Sequence, residues 1–323
     1  MFNLNSTTSN LNTNFKQVKV LVLGSGPAGL AAALYAARAE LAPVVLTGME
    51  LGGQAALTHT IENYPGFPEG VGGQELGELF QKQAERFGAT VEFDTAQSVD
   101  LSQRPFKVTT DNGIYHADSL IVATGARPNH LEIPGETELT GKGVSYCATC
   151  DGWFFKNKKV IVVGGGDSAL EEGLFLTRFA SSVTIVHRRD SLRAGKVLQN
   201  RAFNDPKVSF VWNSTLTDIK GEGKVTSVGL KNIVTGETSN LVTDGVFIFI
   251  GHTPNTQMFN GQLDMDENGY IRSNAWMETN APGVFVAGEV TDSHFRQVVT
   301  SAGMGASAAI QATHYLEKVS EHA

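Results

Sequence analysis

The chain has 323 residues, of which 41% are hydrophobic and 18% charged, with 35 glycines and a formal net charge of -8. Because this length exceeds the size at which one core usually keeps growing, we expect two domains, and the composition is typical of an α/β protein. The acidic balance argues against nucleic acid or an anionic membrane as the main partner, since both reward a basic surface.

The chain begins with a stretch rich in Asn, Ser and Thr. Residues 1–17 carry their first charge at Lys16, which is typical of a disordered arm, and they show neither the pattern of a secretory leader nor the arginines of a transit peptide. No apolar run approaches the ~20 residues of a membrane helix. Two cysteines cannot form the disulfide framework of a secreted protein. We therefore expect a cytoplasmic location and no membrane span.

A glycine loop joins the first predicted strand to the first predicted helix. The run VKVLVLGSGPAGLAAALYAARAE is an apolar strand, a turn and a helix rich in Ala and Leu. Gly24, Gly26 and Gly29 form GxGxxG at this junction, where the dinucleotide-binding fingerprint requires it, and the helix N–H groups would face the phosphates. In this fingerprint an acidic residue about 20 positions later usually binds the ribose of the dinucleotide. Here that position falls in LTG (46–48), which has no acid, and the nearest acidic residue in the sequence is Glu50.

A β-hairpin is predicted next. The segment PFKVTTDNGIYHADSLIVATG (105–125) has two extended stretches around a DNG turn, which is a strong hairpin signal. Its second stretch runs on into the apolar residues LIV, which indicates a strand that continues into a buried sheet.

The only two cysteines lie three residues apart in CATCDG (147–152). This spacing at the opening of a helical turn can bring two Cα atoms within the ~4.4–6.8 Å that a disulfide tolerates, and a helix N-terminus lowers a thiol pKa. Asp151 follows at once, placed to give or take the proton of a thiol. A zinc site would need about four ligands and lacks a second CxxC. Two inert core cysteines are the other alternative; the adjacent acid and flanking nucleotide motifs favour a redox dithiol.

A second strand, glycine turn and helix begin at residue 158. Gly164, Gly166 and Ala169 form GxGxxA after KVIVV. The following strand ends in HRR (187–189), and Arg193 lies a turn further on. Guanidinium groups at this position suit a 2′-phosphate, so NADPH is favoured over NADH. The alternative is a solvated basic corner.

The rest of the chain contains a second predicted hairpin, a further buried strand and a final helix. Residues 225–255 have the order strand, TGE turn, strand, buried strand and glycine, like the predicted hairpin. GVFVAGEV (283–290) is another buried strand, and residues 301–319 form a helix of small side chains that can pack closely. This order predicts an outer domain interrupted by an inner one.

In order and spacing, segments from Val18 to the end resemble the low-molecular-weight thioredoxin reductases. They are GSGPAG (24–29), GGQ (52–54), ENYPG (62–66), ATG (123–125), CATCDG (147–152), GGGDSALEE (164–172), HRRDSLRA (187–194), and PGVFVAGEV with FRQ (282–297). CATCDG between two nucleotide motifs is the specific element, since the glycine loops alone would fit many flavoproteins.

The resemblance implies two Rossmann-like dinucleotide-binding domains of the three-layer ββα type, with the NADPH domain inserted into the FAD domain. Residues 1–17 would be the arm, residues 18–127 and 253–323 the FAD domain, and residues 128–252 the NADPH domain with the CxxC motif. It also implies a homodimer, and the lack of a second CxxC argues against a metal.

The resemblance also implies the cofactor contacts. FAD would contact Gly24, Ser25, Gly26, Pro27, Ala28, Gly29, Thr47, Gly48, Gly52, Gly53, Gln54, Asn63, Ala123, Thr124, Gly125, Gly288, Glu289, Arg296, Gln297 and Val298. NADPH would contact Gly164, Gly165, Gly166, Asp167, Ser168, Ala169, His187, Arg188, Arg189 and Arg193. Asn63 would lie by the isoalloxazine ring. The family usually has Asp where this chain has Glu289, so the longer side chain must fold back or the helix must shift.

The implied activity is thioredoxin-disulfide reduction, with a hydride passing from NADPH to FAD and electrons then passing to the Cys147–Cys150 disulfide and thioredoxin. Cys150 would face the flavin, Cys147 would attack thioredoxin, and Asp151 would protonate the leaving thiolate. Because dithiol and nicotinamide would share the inner domain while the flavin lies on the outer one, we expect the inner domain to rotate about joints near residues 125–127 and 251–255.

Three alternatives use much the same residues. One is a flavin disulfide reductase serving another protein dithiol, and another takes electrons from ferredoxin. The third is a flavin-bound redox sensor without turnover. The HRRxxxR cluster argues against ferredoxin, and an arginine cluster combined with a complete dithiol argues against the sensor.

Overall fold

The computed structural model describes residues 15–58 and 60–321, which form two compact units. The first comprises residues 15–57, 72–126 and 254–321, and the second comprises residues 58, 60–71 and 127–253. The second unit therefore interrupts the first. Residues 58–71 belong to the second unit, whereas the predicted boundaries assign them to the outer domain; no helical or strand period marks this segment in the sequence.

The secondary structure alternates between strands and helices. The strands are β1 (Phe15–Leu23), β2 (Val44–Leu46), β3 (Thr90–Glu92), β4 (Ala96–Asp100), β5 (Phe106–Thr110), β6 (Ile114–Val122), β7 (Ala126–Pro128), β8 (Val144–Ser145), β9 (Lys159–Val163), β10 (Ser182–Val186), β11 (Val208–Val211), β12 (Ser214–Lys220), β13 (Ser227–Asn232), β14 (Thr238–Val242), β15 (Gly245–Ile248), β16 (His252–Pro254) and β17 (Val284–Val286). The α-helices are α1 (Pro27–Arg38), α2 (Gly73–Arg86), α3 (Ala148–Asp151), α4 (Asp167–Leu176), α5 (Lys196–Asn204) and α6 (Val298–Glu321).

The first unit is built on a seven-stranded sheet in the order β3-β2-β1-β6-β5-β4, with β17 also pairing to β6. The strands β1, β2, β3, β6 and β17 run parallel. The first half of β6 pairs antiparallel with β5 across the DNG turn, which confirms the predicted hairpin. Strand β6 pairs in parallel with β1 along its length and with β17 at its end, so the carboxyl ends of β1, β2, β6 and β17 form one edge.

Strand β1 begins earlier than predicted. Phe15 and Lys16 pair with Ile114 and Tyr115, so residues 15–17 are not part of a disordered arm. The Lys16 ammonium forms an ion pair with the Glu92 carboxylate at 2.7 Å. The apolar pattern starts only at Val18, and the pairing to β6 that extends the strand has no signal in the local sequence. Residues 1–14 of the predicted arm lie outside the described residues.

The second unit contains a five-stranded parallel sheet in the order β11-β10-β9-β15-β8. A separate antiparallel sheet, β12-β13-β14, leads into β15, which confirms the order predicted for residues 225–255. The central strands carry buried Val, Ile and Phe side chains on both faces, the pattern of a parallel sheet covered on both sides.

The chain enters and leaves the larger segment of the second unit, residues 127–253, along β7 and β16, which pair in a two-stranded sheet. Each crossing adjoins a glycine with positive φ, +67° at Gly125 and +107° at Gly251. Just inside the first unit, the Thr124 hydroxyl donates to the Asn255 carbonyl and the Asn255 amide donates to the Thr124 carbonyl, both at 2.8 Å.

Helices α1 and α6 pack closely because small residues line both. Buried alanines from both helices belong to one apolar cluster, namely Ala28, Ala32, Ala33, Ala36, Ala37, Ala308, Ala309 and Ala312. A Cβ atom on Gly305 of α6 would overlap the carbonyl oxygen of Ala28, whereas one on Gly303 would meet no atom within 4 Å. The backbone approach at Gly305 therefore requires glycine.

We expect Gly305→Ala to lower the free energy of unfolding by about 1–3 kcal/mol, because the added methyl must push the two helices apart. Gly303→Ala is the matched control in the same helix; it should be neutral or stabilise by up to about 1 kcal/mol, since alanine is the better helix former. Thermal and denaturant unfolding of both variants measure this. Equal unfolding midpoints would contradict the packing described here.

Candidate functional site

The turn between β1 and α1 is tightly packed at two of its glycines and open at the third. A Cβ atom on Gly24 would overlap the carbonyl oxygen of Ala123, and one on Gly29 would overlap that of Gly24. Gly26, in contrast, has no atom within 4 Å of its Cβ position. Helix α1 begins at Pro27 with no side-chain cap, so its first N–H groups are available to an anion. This cradle fits a pyrophosphate.

The segment after β2 is tied to this turn. The Ser25 hydroxyl lies 3.2 Å from the carbonyl oxygen of Thr47 and 3.1 Å from that of Glu50. The Gly52 N–H donates to the Ser25 carbonyl oxygen at 3.1 Å, and a Cβ atom on Gly53 would lie 3.1 Å from the Cα of the glycine after Ser25. These contacts bring two separate parts of the predicted FAD site together.

The segment after β17 lies at the same carboxyl edge of the first sheet. A Cβ atom on Gly288 would lie 2.8 Å from the Ala28 Cβ. The buried Asp292 carboxylate accepts three N–H groups, from His294 at 2.9 Å, Phe295 at 2.8 Å and Arg296 at 3.0 Å. Asp292 therefore shapes the turn into α6. The sequence did not predict this role, because its only local signal is an Asp three residues before the FRQ motif.

Glu289 is a largely buried carboxyl to which no described residue donates a hydrogen bond. Burial raises its pKa to about 7; the positive charge of Arg296 opposes this and the negative charge of Asp292 adds to it. An unpaired buried carboxyl is costly. The hydroxyl groups of a bound ligand would satisfy it, so this residue fits the polyol chain of a flavin dinucleotide.

The carboxyl edge of the first sheet therefore carries most residues of the predicted FAD site. The turn, the segment after β2 and the end of β6 meet there, and the residues placed together are Gly24, Ser25, Gly26, Pro27, Ala28, Gly29, Thr47, Gly52, Gly53, Ala123 and Gly288. Gln297 precedes α6 and Val298 begins it. Asn63 belongs to the second unit.

The second glycine turn lies between β9 and α4. A Cβ atom on Gly164 would lie 2.6 Å from the Ala169 Cβ, which explains why this motif needs small residues at both positions. A Cβ atom on Gly165 would overlap the His187 ring. The Arg193 N–H donates to the Gly165 carbonyl oxygen at 2.8 Å. The turn, the end of β10 and the loop after it therefore form one surface.

A cluster of basic side chains lies at the end of β10 and in the loop after it. The His187 ring is buried and its Nε2 has no hydrogen-bond partner among the described atoms. Burial lowers the pKa of His187, and the nearby Arg193, Arg189 and Arg188 lower it further. All three arginines are exposed, and in the described part of the chain none pairs with a carboxylate. The ring also bonds the Ser191 backbone, which leaves one imidazole nitrogen without a partner, and this nitrogen and the three exposed guanidinium groups fit a phosphate.

The two cysteines form a disulfide at the start of α3, with 5.3 Å between their Cα atoms. Cys147 caps this short helix, and its Sγ accepts the N–H of Cys150 at 3.1 Å. The Glu172 carboxylate of α4 accepts the N–H of Ala148 at 3.0 Å. Sequence reasoning missed Glu172, because its approach to α3 depends on how two helices pack.

Asp151 lies in the same helix and is mostly buried. Burial raises the pKa of its carboxyl above the usual value, and a hydrogen bond with Ser145 opposes the rise. The Ser145 hydroxyl lies 2.6 Å from Asp151 Oδ2, and it also accepts the N–H of Cys147 at 3.1 Å. A proton donor or acceptor therefore lies in the same short helix as the disulfide, and the role of Asp151 as the acid stays a prediction. Ser145 was missed, since a lone Ser two residues before CATC carries no chemical signature.

Residues 15–58 and 60–321 lack two kinds of feature, a membrane-spanning helix and a metal cluster. None of the helices there combines the length and apolar content that a bilayer span requires. No group of three or more His, Cys, Asp or Glu side chains is arranged to hold a metal ion.

Comparison with known proteins gives consistent matches over almost the whole chain. The family model described as pyridine nucleotide-disulphide oxidoreductase matches residues 18–305. The chain is 50% identical over 305 residues to a thioredoxin reductase of Streptomyces clavuligerus, covering 94% of this chain and 95% of the relative. The crystal structure of thioredoxin reductase from Streptococcus pyogenes aligns with a TM-score of 0.90 at 42% identity, covering 94% of this chain and 99% of that one. A thioredoxin reductase from Giardia duodenalis aligns with a TM-score of 0.88 at 40% identity, covering 94% and 99%.

Proposed function

Because the chain belongs to the pyridine nucleotide-disulphide oxidoreductases and, within them, to the thioredoxin reductases, we propose that it reduces the disulfide of a thioredoxin at the expense of NADPH. The observation that carries the proposal is the Cys147–Cys150 disulfide with the protonatable Asp151 beside it. We include in the proposal FAD as the flavin, a homodimer and a cytoplasmic location.

Each cofactor has residues that would hold it. FAD would lie on the cradle at Gly26, with Glu289 toward its polyol chain. NADPH would lie on the second glycine turn, with its 2′-phosphate toward His187 and the exposed arginines. When bound, these cofactors supply a hydride donor and a carrier that passes an electron pair to a disulfide. The chain itself supplies binding, orientation and proton transfer.

The dithiol performs the exchange with the protein substrate. The Cys147 thiolate attacks one sulfur of the substrate disulfide, forming a mixed disulfide and releasing a substrate thiolate, which takes a proton. The Cys150 thiolate then attacks Cys147 Sγ, re-forming the intramolecular disulfide and releasing the second substrate thiolate. Two electrons and two protons pass to the substrate. Asp151 supplies a proton to a leaving thiolate.

The proposal includes rotation between the units. The dithiol and the second glycine turn both belong to the unit that contains Arg127–Thr253, whereas the first glycine turn belongs to the other. The dithiol and the nicotinamide must each reach the same flavin in turn. In the described chain, β7 and β16 are the only two strands that connect the first unit to residues 129–251. An engineered crosslink that locks the units should abolish either flavin reduction by NADPH or disulfide reduction, and spare the other. Full turnover of the locked protein would contradict rotation.

Steady-state turnover tests the function. With purified protein and FAD, NADPH oxidation should be slow alone and rise on addition of oxidised thioredoxin. NADH should support much less turnover, and reduced ferredoxin none. Turnover with ferredoxin but not with NADPH would favour the ferredoxin-dependent alternative, and no turnover with any donor would favour a sensor.

A further inference from the structure

Ser145 occupies a position between the dithiol and its acid that the proposed chemistry does not yet use. It ends the two-residue strand β8, and only 4% of its surface is exposed. Its Oγ lies 2.6 Å from Asp151 Oδ2 and 3.2 Å from the Cys147 carbonyl oxygen, and accepts the Cys147 N–H at 3.1 Å. One hydroxyl therefore contacts both the acid and the backbone on either side of Cys147.

We propose that Ser145 is a positioning residue for the dithiol exchange, holding the Asp151 carboxyl in one place in both of its protonation states. When Asp151 is ionised, the Ser145 hydroxyl donates to its carboxylate. When Asp151 is protonated, its O–H donates to Ser145 Oγ, and the serine proton turns to the Cys147 carbonyl oxygen. The Cys147 N–H donates to Oγ in both arrangements, since a hydroxyl has two acceptor sites.

The charged and polar groups on the neighbouring segments interact with other partners, so Ser145 is the side chain that bonds Asp151. The charged group that α4 brings to α3 is Glu172, and its carboxylate is engaged by the N–H of Ala148. Lys156, after the helix, lies over the Trp153 ring with its Nζ 5.1 Å from the centroid. On the β8 side Tyr146 donates to the Glu136 carboxylate at 2.8 Å. Once the Cys147–Cys150 disulfide is reduced, its two thiols also titrate beside Asp151.

This role makes a specific prediction for the pH dependence. Burial raises the pKa of Asp151 and the Ser145 hydrogen bond opposes that rise, so removing the hydroxyl raises the pKa further. If Asp151 acts as the acid, thioredoxin reduction falls as the pH rises through its pKa. Ser145→Ala should therefore move this alkaline limb upward by roughly one pH unit. It should also lower the maximal rate by about 10-fold, because the acid is less well oriented.

The inference rests on the proposed function, and the experiment separates the two. Full pH profiles of thioredoxin reduction are compared for the wild type, Ser145→Ala and Ser145→Thr, which keeps the hydroxyl and should restore the profile. Flavin reduction by NADPH, measured by stopped flow, does not use the dithiol and should be unchanged. Thr243→Val is the matched control, because Thr243 is also buried in this unit and its hydroxyl bonds backbone groups and no carboxyl: the carbonyls of Lys159 and Gly245 and the Gly245 N–H.

A double variant makes the test specific. In an Asp151→Asn background, Ser145→Ala should change the profile little, since its target is gone. An unshifted alkaline limb, or an equal loss of rate with and without Asp151, would overturn the proposal. Wild-type protein that does not reduce thioredoxin would instead refute the proposed function.

Discussion

Cys147→Ser and Cys150→Ser should each lower NADPH-dependent reduction of oxidised thioredoxin by at least about 10³-fold, because either change removes a sulfur that the exchange requires. Flavin reduction by NADPH should survive in both variants, since the glycine turns and the arginine cluster are untouched. The measurements are steady-state turnover and the loss of flavin absorbance on mixing with NADPH. The two half-reactions should separate cleanly.

The same variants distinguish the two sulfurs. If Cys147 is the attacking sulfur, Cys150→Ser should trap thioredoxin in a stable mixed disulfide, and Cys147→Ser should not. Thr149→Ala is the matched control, because Thr149 is exposed between the cysteines and its change leaves both sulfurs in place. Trapping by Cys147→Ser instead would reverse the roles, and turnover without either cysteine would remove the dithiol from the reaction.

Loss of Arg188 and Arg193 should raise the KM for NADPH sharply. Each hydrogen-bonded guanidinium–phosphate contact is worth about 1.5–3 kcal/mol, so Arg188→Ala or Arg193→Ala should raise KM roughly 10- to 100-fold. The KM for NADH should change little, because it lacks the phosphate. The kcat should stay near the wild-type value, since the arginines bind the adenosine end and not the reacting ring.

Arg201→Ala is the matched control for these arginines. Arg201 is an exposed residue of α5 in the same unit, so its loss changes net charge equally without touching the end of β10. A similar rise in KM for Arg201→Ala would mean that the arginines act through general charge. If the double variant Arg188→Ala/Arg193→Ala kept the wild-type preference for NADPH over NADH, these arginines would not form the 2′-phosphate site.

Much of the fold can be predicted from local sequence. The DNG turn specifies the β5–β6 hairpin because its residues tolerate the required backbone, and both glycine turns follow apolar strands and precede helices. Short strands such as β7, β8 and β16 could not be predicted, because two or three residues carry no period. They exist only because another part of the chain lies beside them.

The same division holds for the candidate site. Cys147, Cys150 and Asp151 stand together in sequence, so their chemistry can be inferred from one motif. Ser145 and Glu172 join them through hydrogen bonds that depend on the position of β8 and the packing of α4, which no spacing rule encodes. The raised pKa of Glu289 likewise depends on burial, which its sequence neighbours do not reveal.

The central claim is that one flavin is reduced by NADPH and reoxidised by thioredoxin through the Cys147–Cys150 pair. The most direct test is an anaerobic absorbance titration of the purified protein. We expect a yellow protein whose flavin absorbance falls on addition of NADPH and returns when oxidised thioredoxin is added. A colourless protein that does not take up FAD, or a flavin absorbance that NADPH leaves unchanged, would contradict it.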